Sequence, residues 1–430
     1  MVMKVFKFGG ASLKDADGMR NVGNIVKNYL SSPLVIVVSA TGKSTNLLEM
    51  VVSEYFHQTG DADKYKDDFK NIHFEIASQL FKPEHAIFNH LNDLMVEIDW
   101  VLEDEPHDSY DYIYDQIVSI GEMVSSRLIA AYLEQEGLPI QWEDARSFIK
   151  TDETYREGRI QWEATKKATK NILEPFLNEN KIVVTQGFIG GTSDNQTTTL
   201  GREGSDYSAA VISFCLDAEY QTIWKDVPGV MNADPRKFEN AILLDKLSYR
   251  EAIEMTYYGA SVIHPKTIQP LQRKNIPLFV KSFIDPEGEG TFISGDIDNV
   301  YPPVVVLETN QLLLQISTRD FSFVAEHHLS EIFKKFAEVR IKVNMMQNSA
   351  ISFSACITNQ NDKVERLLTS LNDQFKVSFD DDLELLTIRH YNDSILNELK
   401  RNRIIILEER LANTVQMVTK SVPQLVMKSS

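Results

Sequence analysis

Residues 34–40, LVIVVSA, form an unbroken apolar run directly after Pro33. The run is too short to span a membrane, and its lack of alternation suits a parallel strand buried on both faces. Upstream, Val2 to Phe8 is rich in β-formers, Gly9-Gly10 breaks the pattern, and Asp15 to Leu30 places Val22, Ile25, Val26 and Tyr29 at helical spacing. Strand, glycine turn, helix and buried strand make a βαβ unit, which implies an α/β domain with a mainly parallel sheet.

The rhythm then varies. Residues 46–136 read as mostly helical, with EDEPHDSYDY (103–112) as an acidic loop. KIVVTQGFIGGT (181–192) repeats strand-then-glycine, TTTLGREGSDYSAAVISFCL (197–216) is a loop entering a helix, and YQTIWKDVPGV (220–230) is a strand and turn. Residues 284–304, rich in Gly, Pro and Asp, read as a linker or edge turn. Beyond them come LLLQIS, HLSEIFKKFAEV, IKVNMM, ISFSACI, KVERLLTSL, KVSF and LELLTI. That is a β-α-β-β-α-β ferredoxin-like pattern, followed by a shorter copy, ILNELKRN, IIILEE and TVQMVTK. At 430 residues the length suggests about two to three domains. The expected division is 1–300 and 301–430, the latter holding one unit at about 307–390 and a shorter one at about 383–430.

Composition narrows the class. The net charge of −18 disfavours nucleic acid and anionic membrane as partners. Two cysteines, Cys215 and Cys356, provide neither a disulfide framework nor a thiolate metal site and fit a reducing cytoplasm. The start, MVMKVFKFGG, lacks the apolar run of a signal peptide.

Two nucleotide fingerprints fail. Gly42-Lys43-Ser44 lacks the glycine five positions earlier that a phosphate-binding loop needs, since that residue is Val37. No G-x-G-x-x-G follows a strand. What remains is a series of strand-end loops. KFGGAS (7–12) offers two glycines, a helix start and Lys7, or else a structural turn. Ser39 and Thr45 in VVSATGKSTN are ligand groups or helix caps. Arg202 in TLGREGSD presents a fork suited to a carboxylate, and Asp206 is a candidate helix cap. Lys225 and Arg236 bracket a Pro228-Gly229 turn, ready for phosphates or for nearby carboxylates. His73, His85, His90, His327 and His328 read as surface or core histidines, and Glu122, by spacing alone, as exposed. In open α/β sheets ligands bind outside the carboxyl ends of the strands, so these loops point to one crevice suited to phosphoryl transfer.

Seven motifs in order, KFGGAS, VVSA with STNLL, GE with SSRL, TQGFIG, TTTLGREGSD, DVPGVMNADPR and GASVIHP, make the chain resemble the aspartate kinases of the amino-acid kinase family. The terminal pattern resembles their ACT regulatory domains. The resemblance implies a three-layer amino-acid-kinase sandwich followed by ferredoxin-like ACT domains. It implies a cytoplasmic enzyme that uses ATP and Mg²⁺ to phosphorylate the β-carboxylate of L-aspartate, the first step toward lysine, threonine and methionine. It assigns Lys7, Gly9, Gly10, Ser39, Lys225, Asp226, Met231 and Arg236 to ATP. Thr45, Glu122, Arg202 and Ser205 fall to the substrate, and Lys7, Arg202 and Asp206 to catalysis, with no protein side chain on the metal. Lys7→Ala is accordingly expected to abolish turnover without unfolding the protein.

The same resemblance places an amino-acid effector between Arg319, Asp320, Phe321, Ser322, Phe323 and Val324 and the facing Asn344, Gln347 and Asn348. Lysine-inhibited members commonly have aspartate where Asn344 stands, so lysine and threonine are both open. Paired ACT domains imply a homodimer or larger assembly. Two departures stand out: Glu203 where the family usually has glycine, and Ser261 where many members have lysine. They are the only support for one alternative, a catalytically inactive amino-acid sensor; the other alternative is a kinase of the same fold acting on another small acid.

Overall fold

The computed structural model describes residues 3–30, 32–260, 263–295, 297, 300–320 and 322–421. The chain divides into two compact units. One comprises Met1–Val230, Leu243–Ile253 and Ser261–Asn299; the other comprises Met231–Ile242, Glu254–Ala260 and Val300–Ser430.

In the first unit the βαβ start is realised as β1 (Lys4–Phe8), α1 (Ala16–Lys27) and β2 (Leu34–Val38). Asp15 ends the preceding turn and caps α1, its carboxylate accepting the Gly18 N–H at 2.8 Å. The helical region resolves into α2 (Ser44–His57), α3 (Ala62–Leu80), α4 (Ile87–Leu102), α5 (Tyr110–Val118) and α6 (Ile120–Gln135). The acidic loop is shorter than expected, because Ser109 caps α5 through the Tyr112 N–H. β3 (Ile140–Glu143), α7 (Trp162–Asn178), β4 (Ile182–Gln186), β5 (Ile189–Gly191), β6 (Thr197–Thr199), α8 (Gly204–Leu216) and β7 (Tyr220–Lys225) follow. The last elements that contribute to this unit are β8 (Lys246–Ser248), α9 (Tyr249–Tyr257), α10 (Pro265–Arg273), β9 (Leu278–Ser282) and β10 (Thr291–Ser294).

The sheet runs β3-β4-β2-β1-β7-β9-β10-β8. It is parallel throughout except where β10 meets β9. Every residue of β2 is buried, so both of its faces are covered, and α6 and α8 both pack on it. The result is the expected three-layer α/β sandwich. Phe6, Phe8 and Trp224 fill its centre, with Trp224 stacked on Phe8 at 5.9 Å. Residues 284–304 are not simply a linker. β10 lies within them, and Thr291 and Ile293 point into the core, because two apolar alternations suffice for a strand once β8 and β9 supply the pairing.

The second unit is an antiparallel sheet of order β12-β13-β11-β14-β16-β15. Its strands are β11 (Val304–Thr318), β12 (Val343–Asn348), β13 (Ser352–Thr358), β14 (Phe375–Arg389), β15 (Arg403–Arg410) and β16 (Thr414–Ser421). Its helices are α11 (Glu326–Glu338), α12 (Asn361–Asn372) and α13 (Asp393–Lys400). KVSF and LELLTI, expected as separate strands, are one strand, β14, which passes through Asp382 at positive φ and stays paired with β11.

The long strands β11 and β14 serve two ferredoxin-like halves. The second half of β11 joins α11, β12, β13, α12 and the first half of β14 around Leu314, Ile316, Phe336 and Leu367. The first half of β11 completes the other, beside the second half of β14, β16 and β15, around Leu386, Ile388, Leu396 and Met417. One ferredoxin-like half is thus inserted into the other.

Candidate active site

Register brings the first-unit strand ends together. Phe8 pairs with Val38 and Trp224, and Val38 pairs with Gln186. The carboxyl ends of β1, β2, β4 and β7 therefore form one edge, along which Lys7, Gly9, Gly10, Ser39 and Lys225 are set. Backbone bonds knit that edge: Ser39 N–H donates to Phe8 O at 3.1 Å, Gly187 N–H to Val38 O at 2.8 Å, and Gly42 N–H to Gly10 O at 3.0 Å. Glycine is required at Gly10, where a Cβ would lie 2.8 Å from Ala40 O and 2.9 Å from Gly42 O.

Asp206 is not a cap. The N-cap of α8 is Glu203, and Asp206 is the third residue of the first turn, buried. Lys7 Nζ is 2.6 Å from its Oδ1, a close ion pair without hydrogen-bond alignment at that oxygen. Lys225 Nζ is 3.9 Å from Oδ2. Burial alone would raise this carboxyl, but the charges of Lys7 and Lys225 outweigh it and hold it below the usual range. Two lysines share one carboxylate at the start of a helix whose free N–H groups add positive potential. The edge thus keeps a net positive character within an acidic protein. Ser205 is buried in the same turn, its Cβ 2.6 Å from where a Cβ at Gly187 would sit.

Glu122 departs from the exposed placement its spacing suggests. α6 is buried almost all round, and Glu122 is 3% exposed. Oε1 accepts the Ala40 N–H at 3.3 Å, and Oε2 has no hydrogen-bond partner among the described residues. Burial pushes this carboxyl up to about 8, against the opposing pull of the Ala40 N–H and the Lys7 charge. Ser125 anchors the same region by donating to Ser39 O at 2.7 Å. Oε2 is thus an unmet polar atom beside the strand edge, on a carboxyl that burial keeps protonated near neutral pH.

The other candidates sort by location. Thr45 is half-buried in the first turn of α2, whose N-cap is Lys43, so it does not cap the helix. Arg202 and Asp226 are exposed. Met231 and Arg236 lie in a segment of the second unit, and Arg236 forks onto Asp234 with two 3.0 Å bonds. Glu203, the acidic departure, takes a left-handed conformation at φ 53, and its Oε2 accepts the His264 N–H at 2.8 Å. Its charge is spent on the backbone of the GASVIHP loop. Ser261 lies outside the described residues. Among the histidines, His73 is fully buried and driven down to about 4 by that burial, a core residue.

In the second unit, Asp320 accepts the Ser322 N–H at 3.1 Å, and Val324 is buried in the core while Phe323 is exposed. The Arg319 guanidinium donates to Asn372 O. Asn344 donates its amide to Gln311 Oε1 at 2.9 Å and to Thr358 Oγ1 at 3.0 Å, within its own sheet. Gln347 and Asn348 are exposed at the end of β12. Phe321 lies outside the described residues.

Sequence reading missed two buried polar groups. Gln186 accepts the Ala145 N–H at 2.7 Å and donates to Ser126 Oγ at 2.7 Å. Asp115 accepts three hydrogen bonds. Neither has a local signature, since each partner is distant in sequence.

A glycine-lined strand edge with paired lysines, at the start of a helix, defines a phosphoryl-transfer protein of the α/β class. Residues 3–282 match the model of the amino acid kinase family, and the chain belongs to that family. Relatives named aspartokinase match most of the chain. It is 32% identical to the lysine-sensitive aspartokinase 3 of Escherichia coli (strain K12), over 89% of this chain and 86% of that protein. It is 32% identical to aspartokinase 1, chloroplastic, of Arabidopsis thaliana, over 81% of this chain and 62% of that protein. The E. coli aspartokinase III structure with aspartate and ADP, in the R-state, superposes with a TM-score of 0.82. That match has 29% identity and covers 97% of this chain and 96% of the other.

Proposed function

We propose that this chain is an aspartate kinase that transfers the γ-phosphoryl group of ATP to the β-carboxylate of L-aspartate, giving 4-phospho-L-aspartate and ADP. The observation that carries the reading is the pairing of a cationic strand edge, Lys7 and Lys225 about Asp206, with the buried, half-unpartnered carboxylate of Glu122. One is built for polyphosphate, the other for an ammonium. Likeness to the E. coli enzyme, solved with aspartate and ADP, adds the substrate pair.

In this reading Lys7 faces the transferring phosphoryl group, and Gly9, Gly10 and Ser39 give it close backbone approach. Lys225 and Asp226 lie along the nucleotide. Glu122 takes the substrate ammonium, Arg202 clamps a carboxylate, and Thr45 and Ser205 complete the pocket. Asp206 holds both lysines in place. The attacking carboxylate is ionised near neutral pH, with an ordinary pKa of about 3.9, so no general base is needed. The work is to bring two anions together, which lysine charge and Mg²⁺ carried on the nucleotide phosphates accomplish. The first unit is the catalytic body and the second, ACT-like unit the regulatory one, with lysine or threonine as effector and ACT-mediated pairing into a homodimer or larger.

The test is incubation with ATP, Mg²⁺, hydroxylamine and one acid at a time. Aspartyl hydroxamate is expected; a signal only with glutamate or another acid, or none at all, refutes the proposal.

A further inference from the structure

Arg202 makes no ion pair among the described residues and is exposed, so what the fold fixes is the backbone that carries its side chain. That loop is fastened on both flanks. After Arg202, Gly204 N–H donates to Gly201 O at 2.9 Å and Glu203 holds the His264 N–H. Before it, Leu200 N–H donates to Phe188 O at 2.8 Å, and Thr199 is held by a single carboxylate on α5. That group is Asp115, which has no exposed surface. Its Oδ2 accepts the Thr199 N–H at 2.9 Å and its Oδ1 the Thr199 hydroxyl at 2.7 Å. Oδ2 also accepts the Arg156 N–H at 2.9 Å.

Arg156 forms the opposite wall. Its carbonyl oxygen stands 3.1 Å from where a Cβ at Gly201 would be, and Gly201 has φ +75. Its own guanidinium is fixed on α5, 3.3 Å from Asp111 and over the Tyr114 ring. One carboxylate thus sets both the strand that enters the Arg202 loop and the turn against which that loop packs.

We propose that Asp115 is the positioning residue for the Arg202 loop, and that it sets affinity for the acid substrate rather than the rate of phosphoryl transfer. This rests on the reading of Arg202 as the carboxylate clamp. The ionised carboxylate accepts all three bonds with its charge; asparagine can keep the two backbone bonds through its one oxygen, but loses that charge and turns its NH₂ toward the Thr199 hydroxyl, which must switch from donor to acceptor. Burial pushes Asp115 up to about 6, against its hydrogen bonds from Thr199 and Arg156 and the Arg156 charge. The groups that bear on it are Tyr114 on α5 and Tyr155 and Arg156 on the facing turn; behind them stand Asp111, paired with Arg156, and Glu49 of α2, which accepts the Tyr114 hydroxyl at 2.7 Å. β6 brings no titratable side chain.

Steady-state kinetics of the full chain and of Asp115→Asn, Arg202→Lys and Thr199→Val, from pH 5 to 8, test this. Asp115→Asn is expected to raise KM for aspartate about tenfold, the scale of losing the charge behind two backbone hydrogen bonds and reversing the third. Its kcat and its KM for ATP should stay within about threefold, and the added steepening of KM below pH 6 should vanish. Thr199→Val, which removes only the hydroxyl contact, should raise the same KM about threefold and covers the case in which Asp115→Asn fails to fold. An unchanged KM for aspartate in both variants, or a parallel loss of kcat and both KM values, overturns the proposal. An unchanged KM in Arg202→Lys identifies failure of the clamp reading instead.

Discussion

Asp206 is buried between two lysines, and that sets what can be removed safely. Taking away Lys7 leaves a buried carboxylate with only Lys225 at 3.9 Å, and breaking a buried pair costs about 3–5 kcal/mol. Lys7→Ala is thus expected to remain folded but with a smaller stability margin. The variant should lose hydroxamate formation and also unfold at lower denaturant, whereas Lys7→Ala with Asp206→Asn should recover most of the stability and none of the activity. Equal stability of Lys7→Ala and the parent in urea would contradict the pairing. Glu122 yields a second expectation. Its carboxyl sits near 8 when folded, against an ordinary 4.5, so the free protein loses the stability tied to that proton as pH rises from 4.5 toward 8. Docking an ammonium onto Oε2 requires the charged form, so aspartate binding at pH 7 should release close to one proton. Calorimetry in two buffers of different ionisation enthalpy reads that number directly, and zero would exclude the contact.

Among the elements, β10 most repays a test. Residues 284–304 read as a linker because Gly, Pro and Asp dominate them, yet Ile293 is fully buried between β8 and β9. Ile293→Ala should cost about 2–5 kcal/mol, where a linker position would cost almost nothing. Melting curves of the variant decide. The lesson extends to α6 and β14. Helical spacing alone made Glu122 exposed, because amphipathicity presumes one wet face and α6 has almost none. KVSF and LELLTI read as two strands, yet β14 runs through Asp380, Asp381 and Asp382 between them, since strand continuity was decided by its partner β11. By contrast β1, β2, β4 and β7 were legible, because strands buried on both faces carry their signal in every residue.

For the whole molecule the question is how the regulatory half responds. The Asn344 amide is committed to Gln311 and Thr358 in its own sheet and offers no charge to a cationic effector. A ligand that binds only the folded state raises stability, about 2.7 kcal/mol at a hundred times its Kd. Millimolar lysine or threonine should therefore raise the melting temperature, and one exceeding the other identifies the effector. Sedimentation of the same samples should give a dimer or larger, and a monomer with no shift from either amino acid would refute the regulatory assignment.

The sequence alone determined the parallel α/β body, the glycine-bearing strand ends and the basic residues beside them, because each rests on local periodicity or on backbone freedom that only glycine has. Glu203 stood out there as an anomaly without a resolution. Only the tertiary structure decided that Glu203 spends its charge on His264, that Glu122 is buried with an open oxygen, and that Asp206 serves two lysines. It alone decided that β11 serves two halves of one sheet. Burial and ion pairing depend on groups far apart in the chain, and no local pattern encodes which distant carboxylate, amide or strand will arrive to meet them.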